Sequence, residues 1–118
     1  MIVAGVGFST GALAEDIVAV VQAAGVTAQV LAAPDFKDGA ALHAAAEALA
    51  LPLVLITRAA LEAVQPSCTT RSAVAETAVG LASVAEACAL AGAGPNSRLL
   101  VTRISHERAT CAVAEGFE

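Results

Sequence analysis

The chain has 118 residues, a hydrophobic fraction of 58% and a formal net charge of −5. That length fits one domain able to bury roughly two-thirds of its unfolded surface. The acidic balance disfavours phosphate backbones, and three Phe with no Trp or Tyr leave no stacking platforms, so no nucleic-acid partner is expected.

Ile2-Val-Ala-Gly-Val reads as a strand that ends in the turn Gly7-Phe8-Ser9-Thr10-Gly11, after which Leu13, Ile17, Val20 and Val21 recur at helical spacing until Gly25. Ser9 or Thr10 is the expected N-cap of that helix. Ala28 to Ala32 gives a second strand, Pro34 to Gly39 a loop, and Ala40 to Ala50 a helix with Asp38 or Gly39 at its start. Pro52 ends it. Leu53 to Ile56 is a third strand, and Thr57 is placed to cap a short helix through Val64 that Pro66 stops. Residues 65 to 72 read as a polar loop. Ser83 and Glu86 then stand three apart at the head of an Ala-rich run, the spacing of a capping box. Past the turn Gly92-Ala-Gly94-Pro95-Asn96, the segments Arg98 to Arg103 and Ala109 to Ala114 form a hairpin, joined by a loop of Ile104 to Arg108.

Strands alternating with helices imply an α/β fold, a single three-layer domain over residues 1–118. Its mainly parallel sheet is made mixed by a C-terminal β-hairpin and carries helices on both faces. Ala combines helix propensity with little bulk, so thin helices packed close on the sheet are expected. A membrane span needs about 20 nearly unbroken apolar residues, and the richest stretch, Ile2 to Ala33, is interrupted by Ser9, Thr10, Glu15, Asp16 and Gln22. The opening Met1-Ile-Val-Ala-Gly also lacks the basic segment of a signal peptide. A cytoplasmic location and no membrane partner are the expectation. Cys68, Cys88 and Cys111 have no C-x-x-C spacing and read as reduced packing thiols.

In a parallel sheet the loops that leave the strand C-termini gather along one rim, where ligands bind. The first strand delivers Gly7, Phe8, Ser9, Thr10 and Gly11, the second Asp35 and Lys37, the third Thr57 and Arg58, with Thr70, Arg71 and Ser72 alongside. Glycine-turn N–H groups with Lys37, Arg58 and Arg71 suit an anionic ligand, such as a polycarboxylate, although the whole protein is acidic. The alternative is a turn that only links strand to helix, since Gly5-x-Gly7-x-x-x-Gly11 misses the dinucleotide spacing and no P-loop Lys follows. His43 and His106 have no second ligand at metal spacing and read as solvated. Neither a metal site nor a cofactor is expected.

The Gly5-x-Gly7 opening with Glu15-Asp16, Asp35-Phe-Lys37, Leu51-Pro-Leu53, Thr70-Arg-Ser72 with Val74-Ala-Glu76, Gly80-x-x-Ser83-Val-Ala-Glu86-Ala, and Leu99-Leu-Val followed by Thr110-x-Ala-Val113 form a set of segments in fixed order. In that order they resemble the CobE and CbiG C-terminal domain family of cobalamin (vitamin B12) biosynthesis. The resemblance covers nearly the whole chain and implies work on a precorrin or corrinoid intermediate. Nothing in the sequence resembles the N-terminal domain of CbiG, so the stand-alone CobE-like form is implied, associated with the aerobic route. Two-domain CbiG-type proteins open a lactone of cobalt-precorrin-5A. Their openings often read Gly-x-Gly-Cys followed by basic residues, whereas Phe8-Ser9-Thr10 stands here, so that activity is not simply carried over.

Three roles follow: a corrinoid binder or carrier, a lactone-opening hydrolase, or a non-catalytic partner of another enzyme of the pathway. The expected ligand-binding set is Gly7, Phe8, Ser9, Thr10, Gly11, Lys37, Arg58, Thr70, Arg71, Ser72 and Ser83. A hydrolase would draw its water-activating carboxylate from Asp35 or Glu86.

Overall fold

The computed structural model describes residues 1–68 and 84–116, so Thr70, Arg71, Ser72 and Ser83 lie outside the described residues. In chain order the elements are strand β1 (Ile2–Phe8), helix α1 (Ala14–Ala23), strand β2 (Val30–Pro34), a 3₁₀ turn (Asp35–Lys37), helix α2 (Ala40–Leu49), strand β3 (Leu53–Ile56) and helix α3 (Arg58–Ala63). A second 3₁₀ turn (Gln65–Ser67), helix α4 (Val84–Ala93) and strands β4 (Arg98–His106) and β5 (Ala109–Glu115) complete them. The sheet runs β3-β2-β1-β5-β4. Strands β3, β2 and β1 are parallel, whereas β5 pairs antiparallel with both β1 and β4. The mixed sheet with a closing hairpin is thus the architecture that the sequence implies.

Side chains that alternate along β1 divide the core into two layers. Ala4 and Val6 pack with Ile17 and Val20 of α1 and Leu42 and Ala45 of α2. Val3 faces the other way and joins Ala87 and Cys88 of α4 and Leu61 of α3. Helix α4 reaches the sheet backbone because neither partner has bulk there. A Cβ on Gly5 would stand 2.3 Å from the Ala85 carbonyl oxygen and 2.3 Å from the Ala89 nitrogen. The close packing expected of thin, Ala-rich helices is realised at this crossing.

Several boundaries differ from the sequence reading, each for a local reason. Helix α1 is capped neither by Ser9 nor by Thr10: Leu13 holds the N-cap position and donates its N–H to Asp16 Oδ2 at 2.9 Å. Leu13 is 56% exposed and so stands outside the apolar stripe it was expected to begin. β2 starts at Val30, which pairs with Val3, because Gln29 is used in bonds to Ile2 instead. β4 continues to His106, opposite Ala109, and the expected five-residue loop shrinks to Glu107 and Arg108. Glu107 makes this two-residue turn with a left-handed φ of 54°. His106 therefore ends a strand. Among the described residues no helix is long and apolar enough to cross a membrane.

Candidate functional site

The parallel strands end side by side, so Phe8, Pro34 and Ile56 deliver their loops to one edge of the sheet. β1 is central there, flanked by β2 on one side and β5 on the other. Helix α4 begins at this edge too, since Val84 lies beside Gly7. The described loops share this edge, and their members play unequal parts.

Gly7 is a packing glycine. A Cβ there would come within 3.0 Å of Thr110 Oγ1 and 3.4 Å of Val84, and the Gly7 carbonyl already accepts the Thr110 hydroxyl at 3.2 Å. Phe8 is half-buried against the α1–α2 layer, and Lys37 Nζ lies 5.7 Å from its ring centroid, within cation–π range. This contact joins the β2 loop to the β1 loop. Ser9, Thr10 and Gly11 are exposed and form a turn in which Ala12 N–H donates to the Ser9 carbonyl at 2.9 Å. Ser9 N–H donates to the Arg108 carbonyl at 3.0 Å, while the N–H groups of Thr10 and Gly11 have no partner among the described residues.

The first turn of α1 does not supply the anion donors that the glycine turn suggested. Asp16 caps it and Glu15 adds a second negative charge, an arrangement that stabilises the helix dipole and repels an anion. Donors to an anion must come from the turn before the helix.

At the third strand Thr57 caps α3 as expected, its hydroxyl accepting the Ala60 N–H at 3.2 Å. Arg58 is exposed, and its Nε donates to Glu62 Oε1 at 3.0 Å, so part of its charge is compensated within its own helix. Asp35 opens the 3₁₀ turn and is exposed. Glu86, in contrast, is fully buried, and its Oε2 accepts the Arg103 N–H at 3.0 Å. Arg103 lies where the β4–β5 register shifts between Val101 and Ile104, so the carboxylate satisfies a strand N–H at an irregularity of the ladder. So enclosed, the carboxylate does not face the surface of the rim.

Two features of this edge were not read from the sequence. His43 Nε2 lies 2.5 Å from Asp38 Oδ1, an exposed pair at the start of α2, so His43 is solvated but held. Arg108, at the tip of the hairpin, sends Nη1 to the Gly11 carbonyl at 3.0 Å. No local signal marks it, because only the pairing of β5 with β1 carries residue 108 to residue 11.

Elsewhere, a cleft of about 300 Å³ opens at the opposite end of the sheet, lined by Val21, Gln22, Val26, Leu49 and Leu51 among others. Among the described residues no charged side chain lines it, which suits a polycarboxylate poorly. Of the cysteines, Cys88 and Cys111 are buried and Cys68 is half-buried. Burial, with a smaller contribution from nearby Cys68, holds the Cys88 thiol far above its ordinary range, and burial pushes Cys111 up to about 12. No cluster of metal-ligating side chains occurs among the described residues.

Residues 2–114 match the family model described as cobalamin synthesis G C-terminus. The crystal structure of CobE, a protein from the cobalamin (vitamin B12) biosynthetic pathway, is similar at a TM-score of 0.90 and 32% identity, covering 99% of this chain and 91% of that one. The crystal structure of cobalamin biosynthesis protein ChiG from Agrobacterium tumefaciens str. C58 is similar at a TM-score of 0.80 and 34% identity, with 100% of both chains covered. A comparison with curated proteins gives no match.

Proposed function

The chain belongs to the cobalamin synthesis G C-terminus family, and from that premise we propose that it binds or carries a precorrin or corrinoid intermediate at the rim beyond β1 and β2. Such a molecule is a broad apolar macrocycle fringed with carboxylates. Its binder needs an apolar contact surface with cationic and N–H donors at the margin. The observation that carries the reading is the contact of Lys37 with Phe8, a cation within range of an aromatic ring that leads directly into the turn bearing the Thr10 and Gly11 N–H groups. Phe36, in the same 3₁₀ turn as Lys37, is 42% exposed and adds apolar surface to the β2 loop. The reading extends to the aerobic route, on the likeness to CobE.

A binding role is favoured over hydrolysis of a ring lactone. Of the two carboxylates considered as bases, Glu86 is enclosed and bonded to a strand N–H, which leaves only the exposed Asp35. Titration of purified protein with hydrogenobyrinic acid, followed in the visible spectrum, tests the binding reading. Saturable spectral change is expected; a flat titration across accessible corrin precursors would refute it.

A further inference from the structure

We propose that Arg108 is the second cationic anchor of the rim, gripping a carboxylate of the ligand while it holds the turn of residues 9–12 in place. The inference rests on the reading of the rim as a polycarboxylate site. It starts from the topology: β2 and β5 flank β1, so Lys37 and Arg108 approach the β1 loop from opposite sides.

Arg108 holds that loop through both backbone and side chain. Its carbonyl accepts the Ser9 N–H at 3.0 Å, and its Nη1 donates to the Gly11 carbonyl at 3.0 Å. The guanidinium lies directly against the glycine, since a Cβ on Gly11 would stand 2.9 Å from Nη1. Between those two anchors lie the Thr10 and Gly11 N–H groups that have no partner among the described residues. The residue that shapes the donor turn therefore also brings a positive charge to it.

A guanidinium has five N–H donors in a rigid fork, and Arg108 commits one to a hydrogen bond among the described residues. No carboxylate pairs with it there, whereas Arg58 pairs with Glu62 and Arg98 with Glu115. It is exposed, and the planar fork matches a carboxylate edge in two-point geometry that an ammonium does not offer.

Binding of hydrogenobyrinic acid to wild-type protein, R108A, R108K and R98A, at two salt concentrations, tests this. Arg98 lies at the other end of the sheet, paired with Glu115, so R98A makes the same change in net charge away from the rim. R108A is expected to raise Kd at least tenfold and to flatten its salt dependence. R108K should recover part of the affinity, and R98A should bind like wild type. Thermal melting of each variant separates lost binding from lost fold. Wild-type binding that survives R108A within twofold overturns the role of Arg108 alone, as does an equal loss in R98A. Failure of wild-type protein to bind overturns the rim reading and the Arg108 role together.

Discussion

Replacing Gly5 with Ala probes the crossing on which the rim geometry depends. The new methyl would meet the Ala85 carbonyl oxygen and the Ala89 nitrogen, each at 2.3 Å, and both are backbone atoms of α4. A flexible side chain could swing away, but a helix must move as a body. Overpacking a core costs about 1–3 kcal/mol, and a clash with main chain on two sides belongs at the upper end of that range. At about 4 °C per kcal/mol for a domain of this size, the melting temperature should fall by roughly 10 °C. Gly39→Ala is the control, since a Cβ there has nothing within 4 Å; its cost should stay below about 1 kcal/mol. Both variants would be followed by thermal denaturation in circular dichroism. If G5A melts within 2 °C of wild type, the close approach of α4 to β1 is wrong, and with it the position of Val84 beside Gly7.

Glu86→Ala removes the acceptor of the Arg103 N–H and opens a cavity, and should cost about 2–4 kcal/mol in urea unfolding. Glu86→Gln, which keeps a carbonyl oxygen, should lie closer to wild type; an E86A variant as stable as wild type would deny the buried bond. Phe8→Leu keeps apolar bulk but removes the ring beneath Lys37, so corrinoid affinity should drop about fivefold, the equivalent of about 1 kcal/mol. Unchanged affinity in F8L would separate the ring from the site. The raised thiol pKa values make a pH prediction whose sign is fixed. The unfolded thiols ionise near their ordinary value of 9.0 while folded Cys111 holds its proton to about 12. Stability from each of the two buried thiols is complete below pH 9 and is lost at about 1.4 kcal/mol per thiol for each pH unit as pH rises toward 12. With one Lys and no Tyr in the chain, few other groups titrate there. Urea midpoints that stay constant from pH 8 to 11 would contradict the burial.

The periodicity of Ile17, Val20 and Val21 reported its helix well, because it presents an apolar face to a layer of the core. The apolar run Leu53 to Ile56 marked its strand although only its ends pack on the core, Val54 and Leu55 being exposed at the edge of the sheet. Thr57 was legible for a similar reason: capping is a local bond, decided within three residues. Leu13 misled because it has the right spacing but sits before the first turn, where Asp16 rather than a hydroxyl provides the cap. At the rim, loops from parallel strands could be grouped from the alternation of elements alone. Arg108 and the burial of Glu86 could not, since both depend on which strand lies beside β1 and on a shift in the β4–β5 ladder. The pairing of Arg58 with Glu62 was visible as an i,i+4 spacing but competes with a ligand for the same charge, and spacing does not decide that contest.

Amide chemical shifts in ¹⁵N-labelled protein, followed as hydrogenobyrinic acid is added, address the location of the site most directly. The earliest and largest changes should fall on Thr10, Gly11 and Lys37, with Val26 and Ala28 at the far end of the sheet unmoved. Changes centred on Val26, Ala28 and Leu51, or none anywhere, would contradict a polycarboxylate site at the edge where β1 and β2 end.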